Sequence, residues 1–122
     1  MTPPFSGAEW VRLKACLSQQ AALGQGLTYL ALAEAVDLQP PHRIHRLTLA
    51  LEDSVRADHA AGRPLLAALV HGKSGLPGRG FFDLLAELGR YAGPATGPEA
   101  AAHYETERDA ALAYWREAGT DL

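Results

Sequence analysis

Between Leu27 and Phe82, helix-forming stretches alternate with proline and glycine breaks in an order that few folds share. A short apolar helix over Tyr29–Val36 is followed by a Pro40-Pro41 break, a longer helix, an apolar run and a Gly-Pro loop. Proline disfavours helical geometry in the residue before it, so this break separates the two helices by a turn. The order predicts a winged helix-turn-helix centre over residues 27–82.

Helices are predicted on both sides of this centre. Ser6 and Glu9 precede a run of apolar residues at helical spacing, which predicts a capping box and a helix to about Leu23. The Pro-rich residues 1–5 are expected to form a loose arm. A second serine/threonine-type cap at Thr96 predicts a C-terminal helix within residues 96–118. The chain of 122 residues is therefore predicted to be one mostly α-helical domain, residues 1–122.

The longer central helix is expected to run from Pro41 to about Ala61, because Gly62 and Pro64 stop it. Its predicted buried stripe consists of Ile44, Leu47, Leu51 and Val55. The apolar run 65–70 predicts a buried strand, with a short helical segment as the alternative, since Val70 alone is β-branched. The loop that follows carries Lys73 and Arg79 and is predicted to be the wing.

The charge of the chain is unevenly distributed. The net charge of −3 does not by itself indicate a nucleic-acid-binding protein. Residues 1–80 hold eight Lys/Arg and six Asp/Glu, a balance of +2, whereas residues 81–122 hold three and eight, a balance of −5. Anion binding at the centre and a merely solvated acidic C-terminal helix both fit this distribution.

The strongest candidate site is the basic sequence His42-Arg43-Ile44-His45-Arg46. It falls in the first turns of the second helix of the predicted helix-turn-helix, where recognition helices present side chains to the major groove. Arginine suits this position because its planar fork matches guanine and phosphate acceptors. The predicted nucleic-acid-binding residues are His42, Arg43, His45 and Arg46 on the helix, with Lys73 and Arg79 on the wing. The alternative is a solvated polar surface.

Two further function classes remain open. Tyr104, Leu112 and Trp115 share one side of the C-terminal helix, which would suit a homodimer or a protein partner. A small metal or hydrolytic enzyme could use His42, His45 and His71, but no second cluster with ligand spacing accompanies them. No metal or other cofactor is predicted.

The single cysteine, Cys16, excludes an internal disulfide and is expected to be a small apolar core residue. No apolar run approaches the length of a membrane span, and the first residues lack the pattern of a signal peptide. A cytoplasmic protein without membrane contact is therefore expected, with DNA or another nucleic acid as the leading partner.

The sequence Thr28-Tyr29-x-x-Leu32-Ala33-x-x-Val36, with Arg63-Pro64-Leu65-Leu66, resembles the winged-helix DNA-binding domain of the alkylguanine-DNA alkyltransferases and alkyltransferase-like proteins. The resemblance covers about a third of the chain and implies a recognition helix that carries an arginine. The family's Pro-Cys-His-Arg active site is absent, so the resemblance does not imply alkyl transfer. The segment Gly62–Phe82 also resembles a set of small uncharacterised bacterial proteins, which implies no function.

Overall fold

The first helix begins where its capping sequence predicts. A computed structural model describes residues 4–118 and confirms a mostly α-helical chain. Helix α1 spans Gly7–Ala22, and the Ser6 hydroxyl accepts a hydrogen bond from the Glu9 amide at 3.2 Å. A Glu9 carboxylate oxygen accepts from the Ser6 amide at 2.9 Å, which completes the capping box.

The expectation of a loose arm is wrong at Phe5, while residues 1–3 lie outside the described part of the chain. The Phe5 side chain is 3% exposed and meets the Trp10 ring edge-on, with centroids 5.6 Å apart. Burying an aromatic ring of this size removes enough apolar surface from water to fix the arm at this residue.

Helices α2 and α3 follow a two-residue strand, β1, at Leu27–Thr28. Helix α2 spans Tyr29–Ala35, and the Thr28 hydroxyl accepts from the Ala31 amide at 3.1 Å as its cap. Helix α3 spans Arg43–Ala61, so it begins two residues later than predicted. The reason is His42, whose φ of 61° is left-handed and therefore lies outside helical geometry.

The buried stripe of α3 is predicted correctly except at its start. Leu47, Leu51 and Val55 are buried, but Ile44 is 39% exposed. Ile44 lies on the same stripe, yet it is the second residue of α3, and its neighbour His45 is exposed too. The first turn of α3 therefore extends beyond the elements that cover the rest of the stripe.

The run 65–70 is buried as predicted, but the strand prediction is wrong for most of it. Residues Leu66–Leu69 form a 3₁₀ helix, and only Val70–His71 forms a strand, β2. The run lacks the β-branched residues that favour extended backbone. In addition, the buried Asp58 carboxylate accepts from the Leu66 amide at 3.0 Å, which satisfies a backbone donor at the start of the turn.

The two strands pair in parallel, with Leu27 opposite Val70 and Thr28 opposite His71. A wing requires an antiparallel hairpin, and the only ladder within residues 4–118 is this parallel one. Residues 72–78 form a turn instead, closed by a hydrogen bond from the Gly72 amide to the Leu76 carbonyl at 2.8 Å. Arg79, predicted on the wing, is the first residue of helix α4, Arg79–Glu87.

Helix α5 spans Pro98–Ala118 and packs along α1 and the 3₁₀ helix. Tyr104 on its inner side is 3% exposed, and burial raises the pKa of its hydroxyl to about 12. The Trp115 indole N–H donates to the Pro64 carbonyl at 2.9 Å, which ties the far end of α5 to the segment before the 3₁₀ helix. Within residues 4–118, no helix is both long and apolar enough to cross a membrane.

Candidate functional site

The first turn of α3 presents its basic side chains outward. His42 and His45 are exposed, and Arg43 is partly exposed and forms no ion pair with any residue from 4 to 118. His42 precedes the helix, and its side chain accepts no hydrogen bond from the first amide N–H groups of α3. These N–H groups carry the partial positive charge of a helix N-terminus, which adds to the charge of Arg43.

Arg46 was predicted on the same exposed surface, and the structure places it elsewhere. Its Nη2 atom lies 2.7 Å and 2.8 Å from the two carboxylate oxygens of Glu9, and its Nε donates to the Pro4 carbonyl at 3.3 Å. The guanidinium also lies 5.8 Å from the centre of the Phe5 ring. Arg46 points toward α1 because it lies about 100° around the helix from His45. It therefore holds the N-terminal segment against α3.

The partner carboxylate in this ion pair is itself well held. The hydrogen bond from the Ser6 amide is the main reason why the pKa of Glu9 is lowered, and Arg46 adds to the effect. Glu9 therefore stays ionised and paired with Arg46, and a variant of Arg46 would disturb this contact as well as any ligand. Arg46 is for that reason a poor position at which to test ligand binding.

Lys73 lies in the turn between β2 and α4, at the N-terminal end of α2. The parallel pairing sets His71 beside Thr28, and the Gly78 amide donates to the Tyr29 hydroxyl at 3.1 Å. Lys73 is exposed and forms no ion pair within residues 4–118. Lys73 thus lies near the start of α2, whereas Arg43 begins α3 after the connection of residues 36–42 that follows α2.

The three histidines considered for a metal site do not form one. His71 lies on β2, with its Nδ1 atom 2.8 Å from the Gly72 carbonyl oxygen, whereas His42 and His45 lie at the start of α3. In the part of the chain that the structure describes, no group of three or more His, Cys, Asp or Glu side chains is arranged to hold a metal ion.

The apolar side of α5, considered for dimer or partner contact, lies against the protein itself. Tyr104 is buried, and Leu112 and Trp115 are half-buried against the core. The apolar side of α5 therefore packs on the body of the protein. These three side chains do not form a free surface patch.

A buried polar network joins α5 to the rest of the molecule, and the sequence did not indicate it. Glu107, expected to be solvated, is 6% exposed and accepts from Arg90 Nη2 at 2.7 Å and Nε at 3.0 Å. Arg90 Nη1 lies 3.1 Å from His59 Nδ1, and His103 Nε2 lies 3.0 Å from Glu107. Only the four-residue spacing of His103 and Glu107 is visible locally, because Arg90 is 17 residues from Glu107.

This network predicts a loss of stability in acid. Burial by itself would raise the pKa of Glu107, but hydrogen bonds and charge from Arg90, with a smaller effect of His103, outweigh it and lower the pKa. A lowered pKa means that the unfolded state binds the proton more tightly, so the stabilisation is present above the unfolded pKa and is lost as pH falls through the folded pKa. We expect the free energy of unfolding, measured by urea denaturation, to fall less between about pH 6 and about pH 3 in Glu107→Gln than in wild type. An equal loss in both proteins would contradict this assignment.

The basic surface that remains consists of His42, Arg43, His45 and Lys73. It is smaller than the sequence predicted, because Arg46 is paired with Glu9. Arg79 lies on α4 with its side chain 85% exposed, and the Asp83 carboxylate 4.0 Å away only partly offsets its charge. The two permanent cations of the basic surface are Arg43 at the start of α3 and Lys73 in the turn before α4. No known protein family, curated protein or solved structure matches this chain.

Proposed function

We propose that this protein binds nucleic acid through the basic surface, with α2 and α3 acting as a helix-turn-helix. The observation that carries the proposal is the position of Arg43. It is partly exposed, it has no acidic partner within residues 4–118, and it is the first residue of a helix whose N-terminal amides lack a side-chain cap. A phosphate group suits both features, because it accepts hydrogen bonds from amides and pairs with arginine.

A second cation supports the same proposal. Lys73 is exposed near the start of α2, the first helix of the proposed helix-turn-helix, and forms no ion pair within residues 4–118. Arg43 and Lys73 would each contact a phosphate group. These contacts would hold the nucleic acid in place without reading its sequence. His42 and His45 are exposed beside Arg43 and can donate to phosphate or base edges.

The test is a fluorescence-anisotropy titration of random duplex DNA, single-stranded DNA and RNA between about 50 mM and about 200 mM salt. Arg43→Ala is expected to weaken binding at every salt concentration and to reduce the salt slope by about 1, the effect of losing one phosphate contact. The same result is expected from Lys73→Ala.

The matched control is Arg56→Ala on the same helix. Arg56 is exposed and donates to Glu87 at 2.8 Å, so its removal changes the charge by the same amount at a distant position. We expect Arg56→Ala to bind like wild type. The proposal fails if wild type shows no binding at the lowest salt, or if Arg56→Ala loses as much affinity as Arg43→Ala.

A further inference from the structure

A cleft of about 630 Å³ lies between α1, α3 and α5, away from the basic surface. Its size is within the range of pockets that hold small organic ligands. Helix α1 contributes Trp10 and Lys14, α3 contributes Asp53 and Asp58, and α5 contributes Tyr114 and Trp115. Nothing in the proposed function uses this cleft.

Aromatic rings form a large part of the wall. Tyr114 is 39% exposed and meets Trp115 edge-on, with centroids 4.9 Å apart. The hydrogen bond from the Trp115 indole to the Pro64 carbonyl fixes the position of this ring, and Trp10 on the opposite helix is held by its contact with Phe5. Fixed aromatic rings are suited to stacking against a planar ligand at little entropic cost.

The charged groups of the cleft differ in whether they are already paired. Asp58 is 4% exposed and its oxygens accept from the Leu66 amide and from Arg63 Nε, at 3.0 Å and 3.1 Å. Its charge is therefore satisfied within the protein. Arg63 keeps its Nη1 without a hydrogen bond to residues 4–118, and its side chain is 41% exposed.

Two more charges in the cleft remain available. Lys14 and Asp53 are both exposed, and neither forms an ion pair with a residue between 4 and 118. The cleft thus offers a ligand the N–H groups of Lys14 and of Arg63 Nη1, and one unpaired carboxylate, Asp53. These groups suit a ligand that carries an anionic group for the N–H donors and a hydrogen-bond donor for Asp53.

We propose that this cleft binds a nucleobase together with its phosphate, either as a free mononucleotide or as an unstacked nucleotide of a single strand. The base would stack on Tyr114 or the tryptophan rings, and Lys14 and Arg63 would bind the phosphate oxygens. Asp53 would accept from an exocyclic amino group, which favours adenine over uracil or thymine.

The choice of a nucleotide over another aromatic anion rests on the proposed nucleic-acid function. An aromatic amino acid carries a ring, a carboxylate and an ammonium group and would use the same kinds of contact. It is smaller, however, and would fill less of the cleft.

Both tryptophans of the chain line the cleft, so intrinsic fluorescence reports on this site directly. The experiment is a titration of the full chain with adenosine monophosphate, adenosine, phenylalanine and an unlabelled oligo-deoxyadenosine strand. Excitation at the red edge of the tryptophan band avoids absorption by the bases. Lys14→Glu is the test variant, since it keeps both tryptophans, and Arg56→Ala is the control.

We expect saturable quenching by adenosine monophosphate, weaker quenching by adenosine, and a loss of affinity of about tenfold or more in Lys14→Glu, comparable to losing one charge-assisted hydrogen bond. Arg56→Ala should behave like wild type. Competition by the oligonucleotide would identify a strand as the source of the nucleotide, and its failure to compete would identify a free mononucleotide.

Three results would overturn the proposal: no saturable response to adenosine monophosphate or the strand, tighter binding of phenylalanine, or equal affinity in Lys14→Glu and wild type. A separate measurement distinguishes this site from the basic surface. Arg43→Ala should weaken the nucleic-acid binding that anisotropy detects but leave quenching by adenosine monophosphate unchanged, so either proposal can fail without the other.

Discussion

Replacing Arg90 with alanine is expected to lower the free energy of unfolding by about 3 kcal/mol. Glu107 is 6% exposed, and its carboxylate accepts two hydrogen bonds from Arg90. The variant would remove both of them. A buried charge that loses its partner is far more costly than an exposed one. Arg90 also contacts His59 on α3, so its removal loosens the attachment of α5 to the body. The measurement is equilibrium denaturation in urea, followed by circular dichroism.

The control for this prediction is again Arg56→Ala, which breaks an ion pair of the same residue types at the surface. The side chains of Arg56 and Glu87 are 50% and 59% exposed, so we expect a loss below about 1 kcal/mol. A double variant, Arg90→Leu with Glu107→Leu, should be less destabilised than Arg90→Ala, because it leaves no buried charge. Similar losses in Arg90→Ala and Arg56→Ala would show that the buried network does not stabilise the fold.

Replacing Gly26 with alanine is expected to cost about 2 to 3 kcal/mol, through overpacking against the backbone. A Cβ atom at this position would lie 2.6 Å from the Leu69 carbonyl oxygen, and this oxygen belongs to the 3₁₀ helix at the centre of the core. Neither segment can yield easily, because β1 is paired with β2 immediately beyond the contact. Thermal and urea denaturation would both measure the loss.

Gly7→Ala provides the matched substitution for Gly26→Ala. A Cβ atom at Gly7 meets nothing within 4 Å, and the residue lies in the first turn of α1. Alanine has the higher helix propensity, so this variant should be neutral or slightly more stable than wild type. If Gly26→Ala were as stable as Gly7→Ala, the close approach of β1 to the 3₁₀ helix would not constrain the fold.

Helix positions were largely predictable because their signals are local. Ser6 and Glu9 cap α1 as expected, Thr28 caps α2, and Gly62 ends α3 with a left-handed φ of 73°. Each of these signals depends on residues within about four positions of one another, so neighbouring sequence suffices.

The candidate site was predictable only in part. The sequence predicted six basic residues on one surface. In the structure Arg46 forms an ion pair with Glu9, which is 37 residues away, and Arg79 is the first residue of α4. The cleft was not predicted at all, because its walls come from α1, α3 and α5, and no local pattern joins Lys14 to Arg63. The burial of Glu107 was missed for the same reason.

The sequence alone determined the approximate positions of the α-helices and the apolar character of the run 65–70, because capping and periodicity act over one or two turns of chain. Tertiary structure decided whether that run became a strand, which charges were paired, and why Gly26 must be glycine. The run became a 3₁₀ helix where Asp58 could accept from its first amide, and Glu107 was buried where Arg90 came within hydrogen-bond distance. Arg46 paired with Glu9, although its side chain remains 31% exposed. Such choices depend on contacts between residues distant in sequence, since burial makes a polar group stable only when the fold supplies its partner.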